Sequence, residues 1–225
     1  MAVITISRLV GSKGTSIGKE VAKRMNYNYV DIELVQEIMN HYGEIEFKNI
    51  YDTKLGIWDR YSSMTSDLLI FFKKVMLSIA RSGNAVIIGR GSFVSLGKYA
   101  DVLDVMIYAP LDIRIKAIME IRGISDPAKA ESYIINKEKI RQSFIEKTYN
   151  VKWDQVDNFD MTFNTGKLNP ELVTDTIVMA AKDLENKKTV LSGLLVSDIE
   201  ADKVLDDTVK SILGNNILSL FLFQK

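Results

Sequence analysis

The chain has 225 residues, 47% of them hydrophobic, enough for one substantial core with an excursion or two but cramped for two full domains. Its 29 basic and 29 acidic residues cancel, so no global field draws it to nucleic acid or to an anionic membrane, and any anion site must be local. Cysteine is absent and histidine occurs once, at His41, which excludes disulfides, thiolate metal sites, cysteine nucleophiles and histidine clusters.

The N-terminus has no basic region followed by an apolar signal core, and no apolar run approaches the ~20 residues that span a bilayer. A cytoplasmic protein without nucleic-acid or membrane partners is expected. Residues 2 to 6 are apolar and β-branched and end at a turn, the pattern of a buried central strand. From Ser16, the residues Ile17, Val21, Ala22 and Met25 recur at helical spacing, with Lys19, Glu20, Lys23 and Arg24 on the other face. Tyr27 to Asp31 reads as a second strand ending in a carboxylate. Helical patterns follow at 33 to 42 and 60 to 81, joined by a polar stretch around Tyr51 to Gly56. Ala85 to Ile88 is a third strand, Asp104 to Ala109 a fourth stopped by Pro110, and residues 159 to 165 a fifth. A charged helical region covers 111 to 150, and a further helix 170 to 186.

Strands alternating with helices imply a parallel sheet covered on both faces, with ligands beyond the carboxyl ends of its strands. Those ends carry Ser7 to Thr15, Asp31, Gly89-Arg90-Gly91 and Asn164-Thr165. A glycine-bearing turn into a helix presents backbone N–H groups and a partial positive charge to phosphate. No window here meets the usual G-x-x-x-x-G-K-[ST] pattern. Two registers are open: Lys13-Gly14-Thr15, with Ser7 and Ser12 in glycine positions, or Gly18-Lys19, which puts Glu20 where a hydroxyl belongs. The first is preferred because Glu20 repels phosphate; the bland alternative is a capped turn with a solvated lysine. Arg90, between two glycines, can offer its planar fork to a phosphate or pair with a carboxylate such as Asp101 or Asp104. Arg114, Arg122 and Arg141 are either surface charge or cations that close over phosphates, with a hairpin around Gly123 to Asp126 forming a lid.

In order, ITISR, GSKGTSIG, YNYVD, IIGRG and RQSFIEKTYNVKWDQVDNFDMTFNT resemble the cytidylate kinase-like family of P-loop nucleoside monophosphate kinases, over about residues 2 to 186. The resemblance implies a three-layer α/β/α P-loop kinase fold with a parallel five-stranded sheet in a domain spanning 1–188. A nucleoside monophosphate-binding insertion would lie at about 32–82 and a helical lid at about 111–150. It implies ATP bound by Gly11, Ser12, Lys13, Gly14, Thr15 and Ser16, with Lys13 on the β- and γ-phosphates and Thr15 or Ser16 helping to hold Mg²⁺. Arg90 would contact the acceptor monophosphate and Asp31 its sugar, while Arg114, Arg122 and Arg141 would be lid cations serving catalysis beside Lys13.

The sequence also departs from that family's pattern. The Thr-Gly expected after Asp31 is missing, no arginine follows within the next helix, and the lid Asp-x-x-Arg is here Glu138-Lys139-Ile140-Arg141. Phe144 and Phe159 stand where this branch often has tyrosine. Two functions remain open: an ATP-dependent kinase of a pyrimidine nucleoside monophosphate such as CMP, or a degenerate kinase fold that binds nucleotide or a protein partner without turnover. Residues 189–225 lie beyond the resemblance as an appendage, with a charged helical pattern at 197 to 212 and an apolar stretch at 217 to 223. So much apolar surface is expected either to fold back on the core or to pair in a homodimer.

Overall fold

A computed structural model of the protein describes residues 2–41, 62–187, 192–200 and 202–222; the polar stretch Tyr51 to Gly56 lies outside them. Five strands, β1 (Val3–Arg8), β2 (Asn28–Val30), β3 (Ala85–Ile88), β4 (Val102–Tyr108) and β5 (Met161–Asn164), form one sheet in the order β2-β3-β1-β4-β5. Every pairing is parallel. The helices are α1 (Gly14–Met25), α2 (Ile32–Asn40), α3 (Ser62–Ser82), α4 (Ser92–Leu96), α5 (Leu111–Arg122), α6 (Pro127–Tyr149), α7 (Pro170–Lys187) and α8 (Lys203–Leu222).

Strands covered on both faces read as unbroken apolar runs, which is why 85 to 88 is legible as Ala-Val-Ile-Ile and is wholly buried. Alternate side chains serve opposite layers. Ile4, Ile6, Val86, Ile88 and Val105 pack with Ile17 and Val21 of α1 and Val173 and Ile177 of α7. Val3, Ile87, Val102 and Met106 pack instead with Leu34 and Ile38 of α2, Phe72 and Met76 of α3, and Val209 of α8. The result is a three-layer α/β/α fold. In α1, a Cβ on Gly18 would fall 2.5 Å from Ile88 Cδ1, so the missing side chain lets this helix lie close to the sheet.

Several element edges differ from the sequence reading. β1 runs on through Ser7 and Arg8, beyond the apolar residues 2 to 6, because β4 pairs with it as far as Arg8↔Ile107. β4 likewise begins at Val102, and α1 begins at Gly14 instead of Ser16.

Of the two outcomes open for the C-terminal segment, its described part takes the first. Leu205, Val209, Ile212 and Leu213 of α8 are buried against the core that contains α3. Asp206, 3% exposed, accepts a hydrogen bond from Ser78 Oγ at 2.6 Å and pairs with Arg81. Upstream, Ala100 N–H donates to the Leu194 carbonyl at 2.8 Å and Val196 N–H to Asp101 Oδ1 at 2.8 Å. Phe223 lies outside the described residues, and among those residues no helix is long and apolar enough to cross a membrane.

Candidate phosphate-binding site

The turn between β1 and α1 is built from close contacts that few side chains would permit. Gly11 has φ +84°, and a Cβ there would sit 2.8 Å from the Arg114 carbonyl oxygen. Gly14, the first residue of α1, would place a Cβ 2.5 Å from Arg8 Cβ. Between them Lys13 adopts the left-handed conformation, φ 62°, at the N-cap position. That is strained for a lysine, by about 1 kcal/mol or more.

Ser12, in a glycine position of the sequence pattern, is buried, and its hydroxyl points back into the turn. Its Oγ lies 2.9 Å from the Leu9 carbonyl oxygen and 3.0 Å from that of Ile107, donating its one proton between them. The Ser12 carbonyl in turn accepts from Thr165 Oγ1 at 2.8 Å, tying the end of β5 to the turn. Ser12 therefore shapes the loop from behind.

The other residues assigned to the turn face outward. Lys13, Thr15 and Ser16 are exposed. The start of α1 has no side-chain cap and no acidic residue in its first turn. By contrast, α2 is capped by Asp31, which accepts from Leu34 N–H at 3.1 Å, and α6 by Asp126, which accepts from Ala128 N–H at 2.9 Å. An uncapped first turn leaves N–H donors and the positive end of the helix dipole available to an anion. Ser16 Oγ donates to the Lys13 carbonyl at 2.8 Å and so keeps lone pairs for a cation, as does the exposed Thr15 hydroxyl. Among the described residues no group of three or more acidic or histidine side chains could hold a metal by itself. A Mg²⁺ ion here would thus share its shell between hydroxyls, water and nucleotide oxygens, which suits that ion.

Three of the assigned arginines sit on α5 and α6, the hairpin turning at Gly123, and the structure separates their positions. Arg114 is 7% exposed; its Nε donates to the Ala109 carbonyl at 2.9 Å, and its guanidinium pairs with Glu138 at 2.7 Å. Glu138 Oε1 also accepts the Val10 N–H at 2.9 Å, so the pair grips the turn itself. Arg114 is therefore an anchored residue beneath the turn, where the sequence suggested a mobile cation. Arg141 reaches the same region, donating to the Arg8 carbonyl at 3.3 Å. Arg122 lies two turns along α5 from Arg114, about 12 Å, with its guanidinium carbon 4.4 Å from the centre of the Tyr133 ring.

On the other side of β1, Gly89, Arg90 and Gly91 are three successive left-handed residues, at φ 70°, 64° and 66°. A Cβ on Gly91 would strike the Tyr149 ring, and one on Gly89 would strike the Arg8 guanidinium. Tyr149 OH donates to the Arg90 carbonyl at 3.4 Å and accepts from Ser95 Oγ at 3.1 Å. Burial raises the Tyr149 pKa, so the phenol keeps its proton for that contact. Arg90 itself is 8% exposed. Asp31, on the neighbouring strand end, spends one carboxylate oxygen on the α2 cap. Phe144 and Phe159 take apolar roles: Phe144 packs edge-on to Phe72 at 6.3 Å between centroids, and Phe159 lies 4.9 Å from Phe93.

Sequence reasoning put Arg8 and Thr165 among the strand ends that face ligand without assigning either a role, and it did not single out Tyr149; all three contact the turn or the glycine triplet. The available signal for Arg8 was an arginine closing an otherwise apolar strand immediately before the turn.

Comparison with known proteins agrees with this arrangement. The chain is 30% identical over 183 residues to a cytidylate kinase from Ignicoccus hospitalis, covering 79% of this chain and 97% of that protein. It is 25% identical over 186 residues to a cytidylate kinase from Methanocaldococcus jannaschii, covering 81% and 99%. A crystal structure of an uncharacterized protein from Eubacterium ventriosum superposes with a TM-score of 0.64 at 21% identity, over 81% of this chain and 99% of that one, a likeness of fold. Residues 3–167 match the family profile, the span that holds the turn, Asp31, Arg90, both hairpin helices and Thr165, and the chain belongs to the cytidylate kinase-like family.

Proposed function

We propose that the protein is a kinase that transfers the γ-phosphoryl group of ATP, bound with Mg²⁺, to a pyrimidine nucleoside monophosphate such as CMP. The observation that carries this reading is the uncapped, acid-free first turn of α1 behind a loop whose glycines admit no side chain. Such a loop binds phosphate through backbone N–H groups, with Lys13 adding a charge-assisted contact to the β- and γ-phosphates. Gly11, Ser12 and Gly14 set the loop's path, and Thr15 and Ser16 offer hydroxyls to the metal. Arg90 and Asp31, at the ends of β3 and β2, serve the acceptor, with residues 32–82 forming the insertion that receives it. The α5–α6 hairpin, within residues 111–150, is the element that closes, bringing Arg141 and Arg122 toward the phosphates while Arg114 holds its base. Phosphoryl transfer needs alignment and charge neutralisation more than covalent chemistry, and this set of groups supplies both.

A second reading, nucleotide binding without turnover, draws on Ser7 and Ser12 in glycine positions and on Arg114, whose guanidinium is engaged by Glu138. A coupled ADP-release assay across CMP, dCMP, UMP, AMP and GMP separates the two. Turnover on any acceptor eliminates the binding-only reading; ATP binding without turnover on all five eliminates the kinase.

A further inference from the structure

A cavity of about 340 Å³ lies between α4, β4 and the segment joining α6 to β5, and none of its walls comes from the turn between β1 and α1. Its volume is in the range that receives small organic ligands. Phe93 and Val94 of α4 and Val151 and Phe159 of the joining segment give it apolar walls. Asp157 and Asp160, both exposed, mark its open side, and Asp104 reaches it from the sheet.

Asp104 is 6% exposed, and its two carboxylate oxygens have different surroundings. Oδ1 accepts from the Thr5 hydroxyl. Oδ2 stands over Gly97, another residue of the cavity wall, 3.1 Å from where a Cβ on that glycine would be, so the missing side chain leaves this oxygen facing the cavity. Asp160 is fixed beside it, since its Oδ2 accepts from the Asp104 N–H at 2.8 Å and its own N–H donates to the Asp104 carbonyl at 2.8 Å. The surroundings of Asp104 supply acidity and no base: burial and Asp160 disfavour its charge, and the Thr5 hydrogen bond favours it. A buried carboxylate in such a place is stabilised by a cation.

The spacing of the carboxylates selects the kind of cation. Among the described residues no group of three or more acidic side chains could hold a metal ion, so Asp104, Asp157 and Asp160 line one cavity without converging on one point. Separated negative charges with apolar wall between them match a ligand whose positive charges are separated by methylene groups. We propose that this cavity binds a linear aliphatic polyamine, with one ammonium on Asp104 Oδ2, a second at Asp157 and Asp160, and the methylene chain against Phe93 and Phe159. An ammonium group donates and does not accept, which suits a site whose polar groups are carboxylates. The site shares no residue with the phosphate-binding turn and does not depend on the kinase reading.

The test is calorimetric titration of the full chain at pH 8, without nucleotide, with putrescine and spermidine, and with butylamine and Mg²⁺ beside them. The expected result is saturable binding of both polyamines at one site, butylamine weaker by about fivefold or more, and no displacement of spermidine by an equal concentration of Mg²⁺. Asp104→Asn keeps an acceptor for Thr5 and removes the charge, and should weaken spermidine roughly ten- to a hundred-fold. Asp157→Asn, at the open side, should weaken it about two- to fivefold, and it carries the test if Asp104→Asn does not fold. Asp183→Asn, on the surface of α7 where Asp183 pairs with Lys187, should leave it unchanged. Wild type without saturable polyamine binding overturns the proposal, as does a folded Asp104→Asn or Asp157→Asn that binds spermidine as wild type does. Butylamine as tight as putrescine removes the second ammonium contact and overturns it too, and displacement by Mg²⁺ would make the site one for any cation.

Discussion

Arg114 and Glu138, 24 positions apart in the chain, meet in an ion pair 2.7 Å long, and the same glutamate oxygen takes the Val10 amide of the turn between β1 and α1. The side chains are 9% and 19% exposed, so neither charge is well solvated if the other is removed. Through this pair the α5–α6 hairpin and the turn share one anchor.

Glu138→Ala should therefore destabilise the fold by about 3 kcal/mol, because it leaves the Arg114 guanidinium buried without its carboxylate and orphans the Val10 N–H. It should weaken ATP binding as well, through the position of the turn. Urea denaturation followed by ATP titration checks both; a stability within about 0.5 kcal/mol of wild type would show that the pair does not anchor the turn.

Lys13→Ala removes a side chain that is exposed and caps nothing, and alanine carries the same left-handed strain, so stability should stay within about 0.5 kcal/mol of wild type. ATP affinity should fall by about 1.5 to 3 kcal/mol, roughly ten- to a hundred-fold. Unchanged ATP binding in calorimetry would move the phosphate contact away from this register.

Asp104, at the centre of β4, predicts an unusual dependence on pH. Burial, only partly offset by the hydrogen bond from Thr5 and reinforced by Asp160, pushes its carboxyl up to about 7 from an ordinary value of 3.8. Between those two values the folded protein holds a proton that the unfolded chain has released, so this group makes stability fall as pH rises through the window. The slope is about 1.4 kcal/mol for each pH unit, levelling off above 7. Asp104→Asn, which keeps an acceptor for Thr5, should flatten the melting temperature between pH 4 and pH 7 and raise it at pH 8. A variant whose melting curve tracks wild type across that range would mean that Asp104 ionises in the fold at its ordinary value.

Deletion after Lys188 should yield an aggregating protein and not a soluble one. It strips four buried apolar residues of α8 from the core, each worth about 1.5 to 3 kcal/mol, together with the Asp206 contacts to Ser78 and Arg81. A soluble, ATP-binding truncation made from a dimeric wild type would instead assign the segment to self-association, as would a sedimentation profile that shifts from dimer to monomer.

The sheet was legible because parallel strands buried on both faces leave unbroken β-branched runs, as at Ala85 to Ile88. The hairpin was legible from the break at Gly123, which takes the left-handed conformation that ends α5. The role of Arg114 was not, since helical spacing tells which face a residue occupies and nothing of a partner on another helix; Glu138 had to be brought beside it by the fold. Arg8 received no role for a related reason. An arginine at a strand end looks solvated in sequence, and only the empty space over Gly89 reveals where its guanidinium goes. Residues 196 to 213 displayed their apolar content plainly, yet the choice between their own core and a second copy depended on contacts with Tyr99, Ser78 and Arg81, which no local pattern encodes.

The docking of α8 on α3, α2 and β2 also sets an order of assembly. The turn, β1, β3, β4 and the hairpin all lie within residues 3–149, so their chain is made while α8 is still to come. The apolar face of α3 waits for a helix beginning at Lys203, more than 100 residues after β3 and β4 have begun. There is therefore an interval in synthesis in which these strands and the hairpin have been made and the helix that covers this flank has not. That interval is when a chaperone, or a neighbouring nascent chain, has its access.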